Sequence, residues 1–193
     1  MANEFQQGPQ QGPQPGFQPG PQPGPQPGFQ PMGAGTPQLT IQEAIQRAIA
    51  GLTKFEGRSR RSEFWWWTLV VGVGSWVLGL IIGVFGHGAS IILGGLVQIA
   101  TSAAMLAVTI RRLQDTGKPG VLAWILYGMY ALIYLCAILI YLLPLGGITV
   151  ALATIVVVLG ILSAILGIVI LIFCILDSTP GVNKYGPSEK YPA

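Results

Sequence analysis

The sequence predicts an all-α integral membrane protein: a four-transmembrane-helix bundle preceded by a short amphipathic helix and a disordered Pro/Gln/Gly-rich N-terminal tail. Three observations carry this reading. Of 193 residues, 51% are hydrophobic and only 9% are charged, where a soluble domain has about a quarter charged. Between residues 64 and 176 the only charges are Arg111, Arg112, Asp115 and Lys118, in one short cluster. The basic residues outside the apolar runs occupy every second gap between them.

Residues 1 to about 37 repeat Pro, Gln and Gly, with Pro-Gly-Phe-Gln-Pro centred on Phe17 and again on Phe29. Such a stretch has almost nothing to bury and cannot offset the entropy of ordering, so it reads as an extended tether. A sharper alternative is a docking segment for a cytoplasmic protein partner, anchored by Phe5, Phe17 and Phe29. The proline-rich start also lacks the basic-then-apolar layout of a secretory signal, which makes the first span the expected insertion signal.

Residues 38–54 form the predicted interfacial helix. Thr40 and Glu43 have capping-box spacing, Pro37 lies just upstream and Gly51 is a natural end. Ile41, Ile45, Ile49 and Leu52 recur on one face, with Gln42, Glu43, Gln46 and Arg47 opposite. Three turns are marginal alone in water, so the isoleucine stripe is expected to lie on the membrane surface or the bundle.

The membrane domain covers 55–187, with helices at about 64–85, 90–110, 121–143 and 148–176. Each exceeds the roughly 20 residues that cross a hydrocarbon core of about 30 Å. Trp65, Trp66 and Trp67 mark the start of the first span, where amphipathic rings favour the headgroup zone. Pro144 stops the third. Residues 188–193 are a short C-terminal tail.

Orientation follows from the cations. Lys54, Arg58, Arg60 and Arg61 precede the first span, Arg111, Arg112 and Lys118 separate the second from the third, and Lys184 and Lys190 follow the fourth. The two remaining loops, Gly86-His87-Gly88-Ala89 and Pro144-Leu145-Gly146-Gly147, carry no formal charge. Four spans put every basic cluster on one side, and the positive-inside rule predicts that this side, with both termini, is cytoplasmic.

Three segments resemble the family known as domain of unknown function 805. They are Phe55-Glu56-Gly57-Arg58-Ser59-Arg60-Arg61-Ser62-Glu63-Phe64-Trp65, then Arg111-Arg112-Leu113-Gln114-Asp115-Thr116-Gly117-Lys118, then Asp177-Ser178-Thr179-Pro180-Gly181-Val182-Asn183-Lys184-Tyr185-Gly186-Pro187. The resemblance covers roughly 41–187 and leaves out the tail. It implies a bacterial plasma (inner) membrane protein without an assigned activity. Gln114 stands where the family commonly has His, so no proton-transfer role is carried over to that position.

All three segments belong to the cytoplasmic ends of the helices, which makes a rim of candidates: Arg58, Arg60, Arg61, Glu63, Arg111, Arg112, Asp115, Asp177, Asn183 and Lys184. Glu63 is expected to pair with Arg111 or Arg112, and Asp115 with Arg58 or Arg60, in a partly buried ring. One reading is that the ring sets topology and clamps helix ends. The other is a site for anionic phospholipid headgroups, because clustered guanidiniums suit phosphate.

Inside the bilayer, Gln98, Thr101, Ser102 and Thr109 share one face of the second span. Tyr127, Tyr130, Tyr134 and Tyr141 share one face of the third, near Trp124. Polar groups in lipid seek partners on neighbouring helices, so these faces are expected to meet. A conduit for a small solute normally leaves an intramembrane ionisable residue or a broken helix, and neither is present. Gly79 and Gly83, and Gly160, Ala164 and Gly167, permit close helix approach within the bundle or a homo-oligomer.

The exclusions are equally plain. A net charge of +3, dispersed over the chain, does not suit nucleic acid. Cys136 and Cys174 lie inside apolar runs and read as core residues. No catalytic constellation, metal-ligand cluster or phosphate-cradling loop is written in the chain, and the lone His87 falls on the far side. No cofactor or enzymatic activity is predicted. The leading expectation is an interaction protein working through its rim and tail; the alternative is a protein that binds or transports lipid headgroups or small solutes.

Overall fold

The computed structural model describes residues 36–143 and 146–191; the tail with Phe5, Phe17 and Phe29 and the stop at Pro144 lie outside the described residues. A short helix α1 (Ile41–Ala50) precedes four long ones, α2 (Arg61–Gly83), α3 (His87–Asp115), α4 (Val121–Leu142) and α5 (Gly147–Ile175). A two-residue strand β1 (Val182–Asn183) then pairs antiparallel with β2 (Gly186–Pro187). Each of α2 to α5 is long and apolar enough to span a membrane. α3 packs on both α2 and α4, and α4 on α5; the contacts of α5 with α2 and α3 are slight.

The capping box forms as its residue types dictate. Glu43 N–H donates to Thr40 Oγ1 at 3.3 Å, and Thr40 N–H donates to Glu43 Oε2 at 2.9 Å. The packed face of α1 differs from the predicted stripe. Ala44 and Ala48 are fully buried, whereas Ile41 and Ile49 are 46% and 54% exposed. The alanines let the helix lie close on α2, and that approach leaves Ile41 and Ile49 outward while Ile45 and Leu52 pack against the core.

The tryptophan triplet also divides. Neighbouring residues on a helix point about 100° apart, so three in a row cannot share one surface. Trp65 and Trp66 face outward, while Trp67 is buried and donates from Nε1 to the Ala104 carbonyl at 3.0 Å.

The largest boundary change is in α3, which runs to Asp115 rather than to 110. Hydropathy falls at Arg111, but the helix continues because its charges find partners across the bundle. It ends where geometry requires. Gly117 takes φ +75°, its N–H donates to the Gln114 carbonyl at 3.0 Å, and Lys118 N–H donates to the Leu113 carbonyl at 2.8 Å. That is a Schellman ending, with Pro119 following. The core gathers near this same end, around Phe64, Trp67, Met105, Val108, Leu113 and Cys174.

Candidate functional site: a charged lock at one end of the bundle

Asp115, the last residue of α3, organises the charged end. Arg58 Nε donates to its Oδ1 at 2.8 Å, and Arg112 Nη1 and Ser178 Oγ both donate to Oδ2. The pairs are fully rather than partly buried: Arg112 is 0% and Asp115 2% exposed. Asp115 takes Arg58 and Arg112, and not Arg60.

Arg58 spends its other donors on the segment after α5. Its Nη1 reaches the carbonyls of Gly181 and Gly186 at 2.8 and 3.3 Å; Nη2 reaches the Asp115 carbonyl at 3.2 Å and both the carbonyl and Oγ1 of Thr179. The hairpin β1–β2 therefore wraps the guanidinium. Gly181 and Gly186, at φ +68° and +122°, hold the backbone in conformations that a side chain would strain. Arg112 closes the end of α5, donating from Nε to the Cys174 carbonyl at 3.1 Å and from Nη2 to that of Leu176. Cations suit that position for the same reason that the last carbonyls of a helix lack internal partners. Asn183 completes the knot by donating from Nδ2 to the Gln114 carbonyl at 3.0 Å and to Thr179 Oγ1 at 3.1 Å.

Glu63 and Arg111 form a second pair of a different quality. Arg111 Nη2 lies 3.1 Å from Glu63 Oε1, close enough for an ion contact but not aligned as a hydrogen bond. Buried beside them, Ser59 Oγ, Arg111 Nε and Gln114 Oε1 also lack partners among the described residues. A Cβ on Gly51 would overlap the Arg111 guanidinium, so α1 ends directly over this pair.

The outer members of the rim join the segment before and within α1 to the segment after β2. Arg60 Nη2 donates to the carbonyls of Thr36 and Pro37 at 2.7 and 2.8 Å, and Thr36 N–H donates to the Lys190 carbonyl at 2.9 Å. Arg47 pairs with Glu189 at 2.9 Å. Asp177 accepts from Lys190 Nζ at 2.6 Å and from the Tyr191 hydroxyl at 3.1 Å, with Arg61 looser at 3.8 Å. Lys184 is apart from the lock, its ammonium over the Tyr185 ring at 4.9 Å.

The Lys190 hydrogen bond, helped by Ser178 N–H and Tyr191, holds the Asp177 carboxyl at about 2, below its ordinary 3.8. A depressed carboxylate stabilises the fold above its unfolded value and loses that contribution as pH falls through the folded one. The melting temperature of Asp177→Asn in detergent is therefore expected below wild type by a constant small margin above pH 4. That margin should close as pH approaches 2; a margin that persists there refutes the assignment.

Within the bilayer the two polar faces meet at one point, where Thr109 Oγ1 and the Tyr127 hydroxyl lie 3.0 Å apart. Gln98 and Tyr134 line an opening of about 330 Å³ between α2, α3 and α4. Ser102 is buried and bonds the Gln98 carbonyl of its own helix at 2.8 Å, and Thr101 is half-buried. Tyr130 turns toward α5, its hydroxyl beside Gly167. Tyr141 stacks edge-on with His87, ring centroids 6.3 Å apart. Ser178 and Thr179, which carry much of the lock, were not singled out from the sequence; two hydroxyls following an aspartate at a helix end were the available signal.

Fold and site together define a four-pass helical membrane protein whose three charged segments close on one another at a single bundle end. The chain belongs to the family described as protein of unknown function (DUF805), which it matches over residues 52–187, so α1 precedes the matched region. It is 28% identical over 137 residues to the inner membrane protein YhaI of Escherichia coli (strain K12), covering 71% of this chain and 86% of that one. It is 29% identical over 147 residues to the inner membrane protein YhaH of the same strain, covering 75% and 93%. No solved structure matches.

Proposed function

We propose a non-enzymatic protein of the bacterial inner membrane whose charged end faces the cytoplasm and serves as an interaction platform, with the N-terminal tail as the capturing arm for a protein partner. The observation that supports this most is the joining of the residues just after the tail to those after β2 at the charged end, through Thr36 to Lys190 and Arg47 to Glu189. The lock favours a structural over a catalytic role for its members. Arg58, Arg112 and Asp115 spend their hydrogen bonds on backbone carbonyls and on one another, which leaves little to act on a substrate. The cytoplasmic orientation rests on the positive-inside rule.

One experiment in inside-out membrane vesicles tests both halves. A cysteine at Val182, which is 70% exposed, should react with an impermeant maleimide there, and a cysteine at His87 should react only in right-side-out preparations. Affinity capture from the same vesicles should lose its specific partner when residues 1–37 are deleted. Labelling of both cysteines from one compartment overturns the orientation, and capture that is unchanged by the deletion overturns the role of the tail.

A further inference from the structure

With Arg58 and Arg112 spent inside the protein, Arg61 and Lys190 are cations that remain accessible on the flank of α2. A cleft of about 440 Å³ is lined by Arg60, Arg61 and Lys190 together with Trp65 and Trp66. The same two tryptophans also line the top of an apolar groove of about 530 Å³ that continues down α2 past Leu69, Gly72 and Val73. From Trp66 to Val73 the groove runs about 10 Å along the helix axis. A polar, cationic cleft therefore adjoins an apolar trough, with Trp65 and Trp66 common to both.

We infer that this composite is a specific site for one anionic phospholipid, its phosphodiester held by Arg61 and Lys190 beneath the aromatic pair and an acyl chain laid along Leu69 to Val73. Charge decides the class of lipid. Three cations and no carboxylate line the cleft; the nearby Asp177 is taken mainly by Lys190, while Arg61 stays 3.8 Å from it and 43% exposed. A zwitterionic headgroup brings its own ammonium into this excess of positive charge, and an anionic one does not. The groove decides the source, because a free phosphate gains nothing from Leu69 and Val73, whereas an acyl chain does. Tryptophans at the junction suit the boundary between headgroup and hydrocarbon. Gly72 leaves the groove floor open, with nothing within 4 Å of where a Cβ would stand.

The test is native mass spectrometry of the full chain in detergent, titrated separately with phosphatidylglycerol, phosphatidylcholine and water-soluble glycerol phosphate. One phosphatidylglycerol per chain is expected, held on the order of tenfold more tightly than phosphatidylcholine, with glycerol phosphate weaker than both. Arg61→Gln should weaken phosphatidylglycerol about fivefold, the effect of one cation near a headgroup. Lys54→Gln, the same charge change at an exposed position of the same end, should leave it unchanged. Gly72→Leu fills the groove at a position that tolerates a side chain, and should weaken phosphatidylglycerol without altering glycerol phosphate. Equal retention of the two lipids overturns the inference, as does an equal effect of Lys54→Gln and Arg61→Gln. Tight glycerol phosphate binding would make this a soluble-anion site instead. Thr36 also lines the cleft, but every variant here keeps residues 1–37 and none of these readouts reports orientation in the membrane, so the site and the proposed platform stand or fall separately.

Discussion

Asp115→Ala is expected to yield no monodisperse protein from detergent extracts. The substitution removes the carboxylate that Arg58 and Arg112 share, and leaves two guanidiniums buried, one of them with no exposed surface. Breaking one buried pair costs about 3–5 kcal/mol, and two are broken here against a total stability of about 5–15 kcal/mol. Asp115→Asn keeps an acceptor and loses only the charge, so it should be intermediate. Arg58→Ala should resemble Asp115→Ala, because the hairpin carbonyls of Gly181 and Gly186 lose their donor. The two changes combined should cost less than their sum, since they dismantle the same network. Size-exclusion profiles and melting curves of the four variants decide this. A normal melting temperature for Asp115→Ala would mean that the lock is not what holds the end of the bundle together.

Glu63→Ala should be nearly as damaging, yet here the damage should be reversible by a second change. Glu63 is 1% exposed and its removal strands Arg111 beneath the end of α1, again at about 3–5 kcal/mol. The pair itself is poorly aligned and leaves several buried polar atoms without partners. Replacing both ends by apolar groups of similar volume, Glu63→Leu with Arg111→Met, should therefore restore wild-type melting or exceed it by about 1–4 kcal/mol. No such swap is expected to rescue the Asp115 network, because there the guanidiniums also satisfy backbone carbonyls that apolar side chains would orphan. The contrast is the informative measurement. If the double variant melts as low as Glu63→Ala alone, the pair is doing more than compensating its own burial.

Much of this architecture was legible before any coordinates. The capping box of α1 and the approximate positions of four spans are local consequences of residue type, whereas the run of α3 past Arg111 to its Schellman ending at Gly117 was not read from the sequence. The expectation that Glu63 would find Arg111 or Arg112, and Asp115 would find Arg58 or Arg60, came from placing three charged segments at one end; the packed chain chose Arg111 for Glu63, and Arg58 with Arg112 for Asp115. Other features were not legible. The sequence separation between Arg58 and its acceptors Gly181 and Gly186 is 123 and 128 residues, and no spacing rule connects carbonyls to a guanidinium over that distance. The isoleucine stripe of α1 was read as one surface, and the tryptophan triplet of α2 as a marker of the headgroup zone. Close packing then split both, burying Ala44, Ala48 and Trp67 instead.

What the sequence determined by itself is how many times the chain crosses the bilayer and which gaps collect the charges. Hydration cost accumulates residue by residue along a helix, so it can be read in one dimension. What only the tertiary structure decided is which of those charges are spent and which remain available. A guanidinium with five donors has none left for a ligand once a carboxylate and backbone carbonyls take them, as with Arg58, and keeps donors to offer when they do not, as with Arg61. That difference depends on where distant carbonyls come to rest, a property of the packed chain and not of any segment in it.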